Sequence, residues 1–359
     1  MKILLITLHS QNNNFGSVLQ AYALYTYLEK QGYEVEVLDY RPFYSNGITS
    51  IRRFFTKIAA NMLFLIPYLI RSRRFETFIS TQKLTRRYSS YRELEAKPPV
   101  ADVFLIGSDQ VWNTEYHCGN DNTYYLKFVH SPNKLSYAAS LGRKIEKTAE
   151  LVKLKNRLSD FKAVSLREEV SVQQLQEIGM TQARYVLDPV FLLDREHYRQ
   201  LERRVNAENY ILAYVIQKDP FMEKVITMLA ARLHKKVIQI GGFAKKCQAD
   251  EIVRTAGPAE FLAYVAQADF VITSSFHGTA FSLIYQKQFA VVMPPTNRLR
   301  VENILNSAGV LKRVIHTPDD LAIVDQAIDY SEVQPNLNRL REMSKHFLND
   351  ALSECCVNK

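Results

Sequence analysis

The chain has 359 residues, of which 47% are hydrophobic and 23% charged, and its formal net charge is +9. This length predicts two domains, because single cores rarely grow beyond about 250–300 residues. Four scattered cysteines are too few for a disulfide framework, which favours a reducing compartment. Polar Asn12–Asn14 follow the short first apolar run where a signal peptide would continue, so we expect no export signal and a cytoplasmic protein.

The first half of the chain predicts alternating strands and helices. "KILLIT" (2–7) is a continuous apolar run, "SVLQAYALYTYLEKQG" (17–32) has helical spacing, and "YEVEVLDY" (33–40) alternates like a strand. Together they predict a βαβ unit and therefore a parallel sheet. Further strands ending in polar loops are predicted in these segments: "ADVFLIGSD" (101–109), "KLSYAASLG" (134–142), "FKAVSLREE" (161–169) and "ARYVLDPVFLL" (183–193).

A polar stretch at 194–209 marks the predicted domain junction, and a second alternation of strands and helices follows it. We therefore predict an α/β protein with two Rossmann-like domains facing across a cleft, a GT-B-like arrangement. The predicted domains are an N-terminal one at 1–190 and a C-terminal one at 191–332. A C-terminal helix lies at 333–359, and its packing back on the N-terminal domain is left open.

Residues 51–90 form a predicted insert that carries nine Lys or Arg and one acid, Glu76. Its apolar run "IAANMLFLIPYLI" (58–70) is shorter than the roughly 20 residues that span a bilayer. One interpretation is an attachment to an anionic membrane surface. The other is a pair of helices packed on the body, with solvated arginines. Nucleic acid is not expected as a partner, because no nucleic-acid motif accompanies the local charge.

Phosphate-loop, dinucleotide and metal-ligand motifs are absent from the sequence. We therefore expect neither a metal nor a cofactor. In open α/β sheets, ligands bind beyond the carboxyl ends of the strands, so the strand ends are where site residues are sought.

Two strand ends in the first half carry polar side chains. Asn14 and Gly16 favour a tight turn before the first helix, although a solvent-exposed loop is the alternative. Asp109 ends another strand near Trp112, the only tryptophan. A carboxylate beside an aromatic ring is suited to a sugar, although Asp109 could merely cap the next turn.

The strand "FVITSS" (270–275) leads directly into "FHGT" and a helix. Backbone N–H groups at such a turn, with Gly278 and Thr279, favour an anion site. His277 can donate a proton or stabilise charge there, or can be a structural histidine at a turn. Three arginines could recognise phosphate or carboxylate: Arg167, Arg298 and Arg300. The alternative is that they are solvated charges, as a lone exposed arginine usually is.

The sequence resembles the polysaccharide pyruvyl transferase family over nearly its whole length outside the insert. The resemblance is carried by several blocks in the expected order: "NFGSVLQAYALYTYLEKQGYEVEVLDYRP", "FLIGSDQVWN", "SLRE", "VLDPVFLL" and "ADFVITSSFHGTAFSLIYQKQF". It implies a GT-B-like fold and transfer of a pyruvyl group from phosphoenolpyruvate onto two hydroxyls of a sugar. The product is a cyclic ketal in a surface polysaccharide or its lipid-linked precursor, and phosphate is released.

The resemblance also implies roles for particular residues. His277 and Asp109 become the candidate acid and base. Donor-binding residues are expected at Arg300, Arg167, Ser275, Gly278 and Thr279, and acceptor-side residues at Asn14, Gly16, Gln20 and Trp112. Phosphoenolpyruvate is a co-substrate, and no cofactor or metal is required. A lipid-linked acceptor would place the enzyme at the inner face of the cell membrane.

Two alternatives stay open at this stage. A GT-B glycosyltransferase that uses a nucleotide sugar would share the fold but release a nucleoside diphosphate. A non-catalytic sugar-binding or assembly protein would retain the scaffold without the convergence of His277 with arginines.

Overall fold

The computed structural model describes residues 1–9, 13–46, 64–241, 245, 247–294 and 298–356. The first third of the predicted insert, 51–63, lies outside the described residues, and so do Arg52, Arg53 and Lys57.

Short strands run through the whole described chain. Their bounds are β1 (Lys2–Ile6), β2 (Glu34–Val37), β3 (Val103–Ile106), β4 (Lys134–Ser136), β5 (Ser165–Leu166), β6 (Arg184–Tyr185), β7 (Tyr210–Tyr214), β8 (Lys236–Ile240), β9 (Glu251–Val253), β10 (Phe270–Thr273) and β11 (Phe289–Val291).

Helices connect these strands. The α-helices are α1 (Phe15–Lys30), α2 (Leu65–Ile79), α3 (Tyr91–Ala96), α4 (Thr148–Leu158), α5 (Glu169–Glu177), α6 (Arg195–Leu201), α7 (Pro220–Leu233), α8 (Pro258–Gln267), α9 (Phe276–Ile284), α10 (Arg298–Ser307) and α11 (Tyr330–Cys356). Single 3-10 turns occur at Phe43–Asn46, His117–Asn120, Asn122–Tyr125, Pro189–Leu192, Leu311–Arg313 and Pro318–Asp325.

The chain divides into two compact units. Unit 1 comprises 1–54, 79–192 and 339–359, and unit 2 comprises 55–78 and 193–338. The prediction had assigned the whole of 51–90 to the N-terminal domain, and the structure corrects this for the described part of 55–78. The physical reason is that Arg74 on α2 bonds within unit 2. Its Nε lies 3.2 Å from Glu260 Oε1, and its Nη1 donates to the carbonyl of Thr255 at 3.0 Å.

The sheet of unit 1 is parallel, with strand order β2-β1-β3-β4. Parallel bridges from β4 and the residues just after it reach Ala163 and Leu166, which continues this order toward β5 and β6. Strands β1 and β3 are wholly apolar after Lys2 and are covered on their faces, as expected for a parallel sheet. The chain moves outward from β1 in both directions, so the order reverses between β1 and β3.

Unit 2 has a five-stranded parallel sheet of order β11-β10-β7-β8-β9. Its first strand, β7, is central, and the order reverses between β7 and β10. The apolar strand and helix residues of this unit form a core of their own around Ile211, Val225, Ile226 and Ile272. Two Rossmann-like α/β units are therefore confirmed.

Ligands of open α/β sheets bind where the strand order reverses, beyond the carboxyl ends of the two strands. In unit 1 that point is followed by the start of α1 and by the residues after β3. In unit 2 it is followed by the turn between β10 and α9. Asp109 and His277 therefore each come directly after a switch-point strand.

Candidate active site

The turn after β10 is fixed by a chain of side-chain hydrogen bonds. Ser275 is the N-cap of α9, and its Oγ accepts from Gly278 N at 3.4 Å. Ser275 N donates to Thr273 Oγ1 at 3.0 Å, and that hydroxyl donates to the carbonyl of Tyr214 at 2.8 Å. Tyr214 ends β7, so the start of α9 is tied to both strands of the switch point.

Gly278 and Thr279 serve packing in this turn. A Cβ on Gly278 would lie 2.3 Å from Thr273 Oγ1 and 2.9 Å from Tyr214 Cδ1. Only glycine therefore fits between α9 and the two strands. Thr279 is fully buried, and its hydroxyl donates to the carbonyl of Ser275 at 3.1 Å. The prediction that the Thr279 side chain binds the donor anion is corrected, because its one proton is already used inside the helix.

His277, Phe276 and Arg300 form a contiguous row at this turn. The rings of Phe276 and His277 meet edge to face with centroids 5.0 Å apart. The guanidinium carbon of Arg300 on α10 lies 6.0 Å from the Phe276 ring centroid, at the outer range of a cation–π contact. The structure thus places both His277 and Arg300 next to the Phe276 ring.

Two features of this row favour an anion. The first turn of α9 contains no acidic residue, so the positive end of its dipole is not neutralised from within that turn. Arg300 adds a formal cation. The neighbouring Arg298 is exposed and pairs instead with Glu302, Nη2 to Oε1 at 3.3 Å.

The corresponding point of unit 1 is built around Asp109. This residue follows β3, and its backbone φ is 74°, in the left-handed region. Among residues other than glycine, aspartate is one of those found there most often. Its Oδ2 accepts from Ser17 Oγ on α1 at 2.7 Å, and its Oδ1 accepts from Gln110 N at 2.9 Å. Asp109 as a whole residue is 8% exposed, and its carboxylate connects the loop after β3 to α1.

Arg167 lies beside Asp109 in unit 1. Its Nη2 is 3.1 Å from Asp109 Oδ1, and its Nη1 is 2.5 Å from Asp188 Oδ2. Burial lowers the pKa of the Arg167 guanidinium, but the charges of Asp188, Asp109 and Glu168 outweigh it and raise the pKa. The structure therefore places Arg167 next to Asp109 in unit 1 and surrounds it with carboxylates.

The start of α1 holds the other predicted acceptor-side residues. Asn14 is exposed and is the N-cap of α1, accepting from Gly16 N at 2.9 Å and Ser17 N at 3.3 Å. Gln20 is fully buried, and its Nε2 donates to Thr7 Oγ1 and the carbonyl of Ser17, both at 2.9 Å. Asn14 is thus open to a ligand, while Gln20 ties α1 to β1 from within.

Trp112 does not offer its ring to a ligand, which corrects the prediction. It is 1% exposed, and its Nε1 donates to the carbonyl of Tyr124 at 2.8 Å. Its ring stacks near Tyr125 and meets Phe161 edge-on. A large aromatic ring in the core of unit 1 stabilises the packing that holds the Asp109 loop.

Sequence reasoning missed two features of unit 1. The first is Asp188, which lies in the apolar segment "VLDPVFLL" and is absent from the predicted site residues. Its position shortly after a strand is a signal that could have identified it. A second buried group joins His9 Nε2 to Asp39 Oδ1 at 3.3 Å, with Arg41 Nε 2.5 Å from the same oxygen. Burial raises the pKa of Asp39, but the hydrogen bonds and charges of His9 and Arg41 outweigh it and lower the pKa.

Within the described ranges, no group of three or more His, Cys, Asp and Glu side chains is arranged to hold a metal ion.

Two parallel α/β units with polar groups at their switch points define a GT-B-like protein, and solved structures agree. UDP-N-acetylglucosamine 2-epimerase from Rickettsia bellii matches with a TM-score of 0.57 and 12% identity, covering 99% of this chain and 97% of that one. The Methanocaldococcus jannaschii UDP-GlcNAc 2-epimerase in complex with UDP-GlcNAc and UDP matches with a TM-score of 0.51 and 13% identity, covering 96% of this chain and 100% of that one. Arabidopsis thaliana UGT89C1 complexed with quercetin matches with a TM-score of 0.51 and 10% identity, covering 99% of each chain. At these identities the likeness shows the fold alone.

Sequence comparison gives the family. The model of the polysaccharide pyruvyl transferase family matches residues 14–294, which is most of the chain. The chain therefore belongs to the polysaccharide pyruvyl transferase family. A search of curated proteins finds no match.

Proposed function

We propose that this protein transfers a pyruvyl group from phosphoenolpyruvate onto two hydroxyls of a sugar, forming a cyclic ketal and releasing phosphate. The acceptor is a surface polysaccharide, such as a capsule or exopolysaccharide, or its lipid-linked precursor. Family membership supports the reaction class. The observation that carries the donor assignment is the row of His277, Phe276 and Arg300 at the switch point of unit 2.

Phosphoenolpyruvate carries a phosphate and a carboxylate on a small unsaturated carbon frame. A helix N-terminus without acids and a guanidinium suit its charges. The Phe276 ring, next to His277 and Arg300, supplies an apolar contact that suits the enol carbons. This chemistry favours the donor at unit 2, with Arg300 as its anion-binding side chain and Ser275 and Gly278 forming the turn.

The proton balance of the reaction is two protons lost by the sugar hydroxyls and two gained, one by the methylene carbon and one by phosphate. A general acid protonates the methylene carbon, which leaves an oxocarbenium-like centre at the neighbouring carbon. One sugar hydroxyl adds to that centre, the second displaces phosphate and closes the ketal. One hydroxyl proton restores the general acid that protonated the methylene carbon, and the other goes to the leaving phosphate. His277 is our candidate for a proton-transfer group at the donor, since imidazole exchanges protons near neutral pH. The assignment of Asp109 to the other proton transfer stays a prediction.

The test is incubation of the purified protein with phosphoenolpyruvate and candidate sugars, including lipid-linked ones, while phosphate release is followed. Release that depends on both substrates, with a mass gain for a ketal-linked pyruvyl group on the acceptor, is the expected result. Release of a nucleoside diphosphate from a nucleotide sugar instead would identify a glycosyltransferase. Sugar binding without any turnover would identify a binding protein.

We also propose that α2 attaches the enzyme reversibly to the cytoplasmic face of the membrane. Four large apolar side chains lie exposed within six residues of this helix: Leu65 (49%), Ile66 (71%), Leu69 (55%) and Ile70 (39%). They share one face with the exposed Arg73, while Phe75 and Phe78 on the other side are buried. No helix in the described part of the chain is long and apolar enough to cross a bilayer.

The structure changes the expected balance of forces in this attachment. The prediction relied on the basic residues of 51–90, but several described ones are neutralised within the protein. Arg74 pairs with Glu260, Lys83 with Glu34 and Arg87 with Asp39. We therefore expect apolar insertion to dominate, and Arg73 to add about 1 kcal/mol near an anionic surface.

Co-sedimentation with phosphatidylcholine vesicles, with and without phosphatidylglycerol, measures this attachment. The double substitution Ile66→Gln and Leu69→Gln should abolish binding, while Met343→Gln, which changes an equally exposed apolar residue on α11, should not. Undiminished binding of the double variant would show that α2 is not the attachment site.

A further inference from the structure

A closed cluster of charged side chains lies beneath the loop that carries Asp109 in unit 1. Arg167 is at its centre, with its side chain 1% exposed. Three carboxylates surround the guanidinium: Asp109, Asp188 and Glu168, whose closest oxygens lie at 3.1, 2.5 and 3.7 Å. Ser108 links two of these groups, since its Oγ donates to Asp188 Oδ2 at 2.9 Å and lies 3.3 Å from Arg167 Nη1.

The charge balance of this cluster disfavours an anionic ligand. One guanidinium faces three carboxylates, so the formal charge of the cluster is −2. A buried arginine whose N–H groups already bond carboxylates has little to offer a second anion such as phosphoenolpyruvate. The excess negative charge would also repel that anion. The donor-binding role predicted for Arg167 is therefore poorly suited to its surroundings.

The same contacts fix Asp109 from three sides. Arg167 holds Oδ1 together with the backbone N–H of Gln110, and the Ser17 hydroxyl donates to Oδ2. Each of these donors favours the ionised carboxylate over the protonated acid. The left-handed backbone at Asp109 turns its side chain toward these donors, and Trp112 three residues later is locked in the core.

We propose that Arg167 and Ser17 are positioning residues, which hold the Asp109 carboxylate ionised and in one orientation for the acceptor hydroxyls. This inference rests on the proposed function and deepens it by separating the two anion-related arginines. Arg300 binds the donor in unit 2, and Arg167 acts through Asp109 in unit 1.

Other titratable groups also face Asp109. Asp188 and Glu168 reach it through Arg167, and their negative charges oppose its ionisation. Cys118 and Tyr124 interact with it electrostatically from the following loop. Burial, with the charge of Asp109 as a further cause, raises the pKa of the Cys118 thiol to about 12, so the thiol is neutral near neutral pH. Removal of the Ser17 hydroxyl takes away a hydrogen bond to Asp109 without changing any formal charge.

The first measurement is a pH titration of the Asp109 carboxyl carbon by NMR in protein with ¹³C-labelled aspartate. Ser17→Ala should move the titration of Asp109 to higher pH by about one unit, the equivalent of one charged hydrogen bond. The acid limb of the kcat/KM profile should move with it. Ser136→Ala is the matched control, since this buried serine of unit 1 bonds Ser165 rather than a carboxylate. Identical Asp109 titrations in the two variants would overturn the proposal.

The second measurement separates positioning from donor binding. Arg167→Lys keeps the charge but loses the planar fork. We expect it to lower kcat at least about tenfold, while the dissociation constant of phosphoenolpyruvate stays within about twofold of wild type. A tenfold or greater weakening of phosphoenolpyruvate binding would assign Arg167 to the donor and overturn the inference. If wild-type protein turns over no phosphoenolpyruvate, the proposed function fails, while the NMR titration still decides whether Ser17 sets the ionisation of Asp109.

Discussion

The two switch points of this protein are topologically alike and chemically opposite. In unit 1 the polar groups beyond the sheet are engaged with one another, and carboxylates outnumber the central arginine. In unit 2 the hydroxyls are engaged in capping, and a histidine, an aromatic ring and an arginine line the turn. The same fold position therefore differs in local charge between the two units, and the proposed function uses this difference to assign the donor anion to unit 2 and the sugar hydroxyls to unit 1.

The strongest challenge to this comparison is His277→Ala. We expect the fold to persist and turnover to fall by about 10²–10⁴-fold, because a positioned acid–base group contributes that much. Steady-state phosphate release measures it, with circular dichroism to check folding. His346→Ala on the exposed face of α11 is the control and should leave the rate unchanged. Near-normal turnover of the His277 variant would remove this residue from the mechanism.

Arg300→Ala tests whether the anion belongs to unit 2. The loss of a charged hydrogen bond costs about 1.5–3 kcal/mol, so the dissociation constant of phosphoenolpyruvate should rise about 10- to 100-fold. Calorimetric titration of donor and acceptor measures both affinities, and acceptor binding should change little. Arg298→Ala is the matched control, since that neighbour pairs with Glu302 at the surface. If Arg298→Ala weakens donor binding and Arg300→Ala does not, the two arginines have been assigned the wrong way round.

The smallest expected effect concerns stability rather than chemistry. Gly278→Ala places a methyl group 2.3 Å from Thr273 Oγ1, and overpacking of this kind costs about 1–3 kcal/mol in the free energy of unfolding. Urea denaturation measures the loss. Gly32→Ala meets no atom within 4 Å but has φ of 84°, so it isolates the backbone cost of about 1–2 kcal/mol. Equal losses in both variants would mean that the turn of unit 2 adjusts to the extra methyl group.

Much of the fold followed from local sequence. Apolar runs at β1 and β10, each followed by a helical pattern, and a further apolar run at β3 predicted parallel sheets, because the strands of such sheets are buried on both faces. His277 and Asp109 were found for the same reason, since a polar side chain directly after a buried strand is a local signal.

What the sequence could not predict depends on distant partners. Trp112 stands beside Asp109 in sequence, but Phe161, which meets its ring, is far along the chain and draws it into the core. Two of the three carboxylates around Arg167, those of Asp109 and Asp188, come from other loops, while Glu168 is its neighbour in sequence. Arg74 lies within the stretch predicted as the first domain and yet pairs with Glu260 of the second. Side-chain pairing across such separations leaves no periodic pattern to detect.

The helix α11 has a consequence for the order of synthesis. Unit 1 is assembled from three separated stretches, and its last one is the end of this helix. Leu348 and Leu352 are buried, Ser344 accepts from Leu187 N at 2.9 Å, and Tyr27 donates to Asn349 at 3.2 Å. A ribosome that has already released β1 to β6 must still translate 193–338, the larger part of unit 2, before these contacts can form. Domains usually fold in the order in which they emerge. Here unit 2 can finish folding first, although unit 1 begins earlier in the chain. Unit 1 stays partly uncovered until its last stretch, 339–359, has been synthesised.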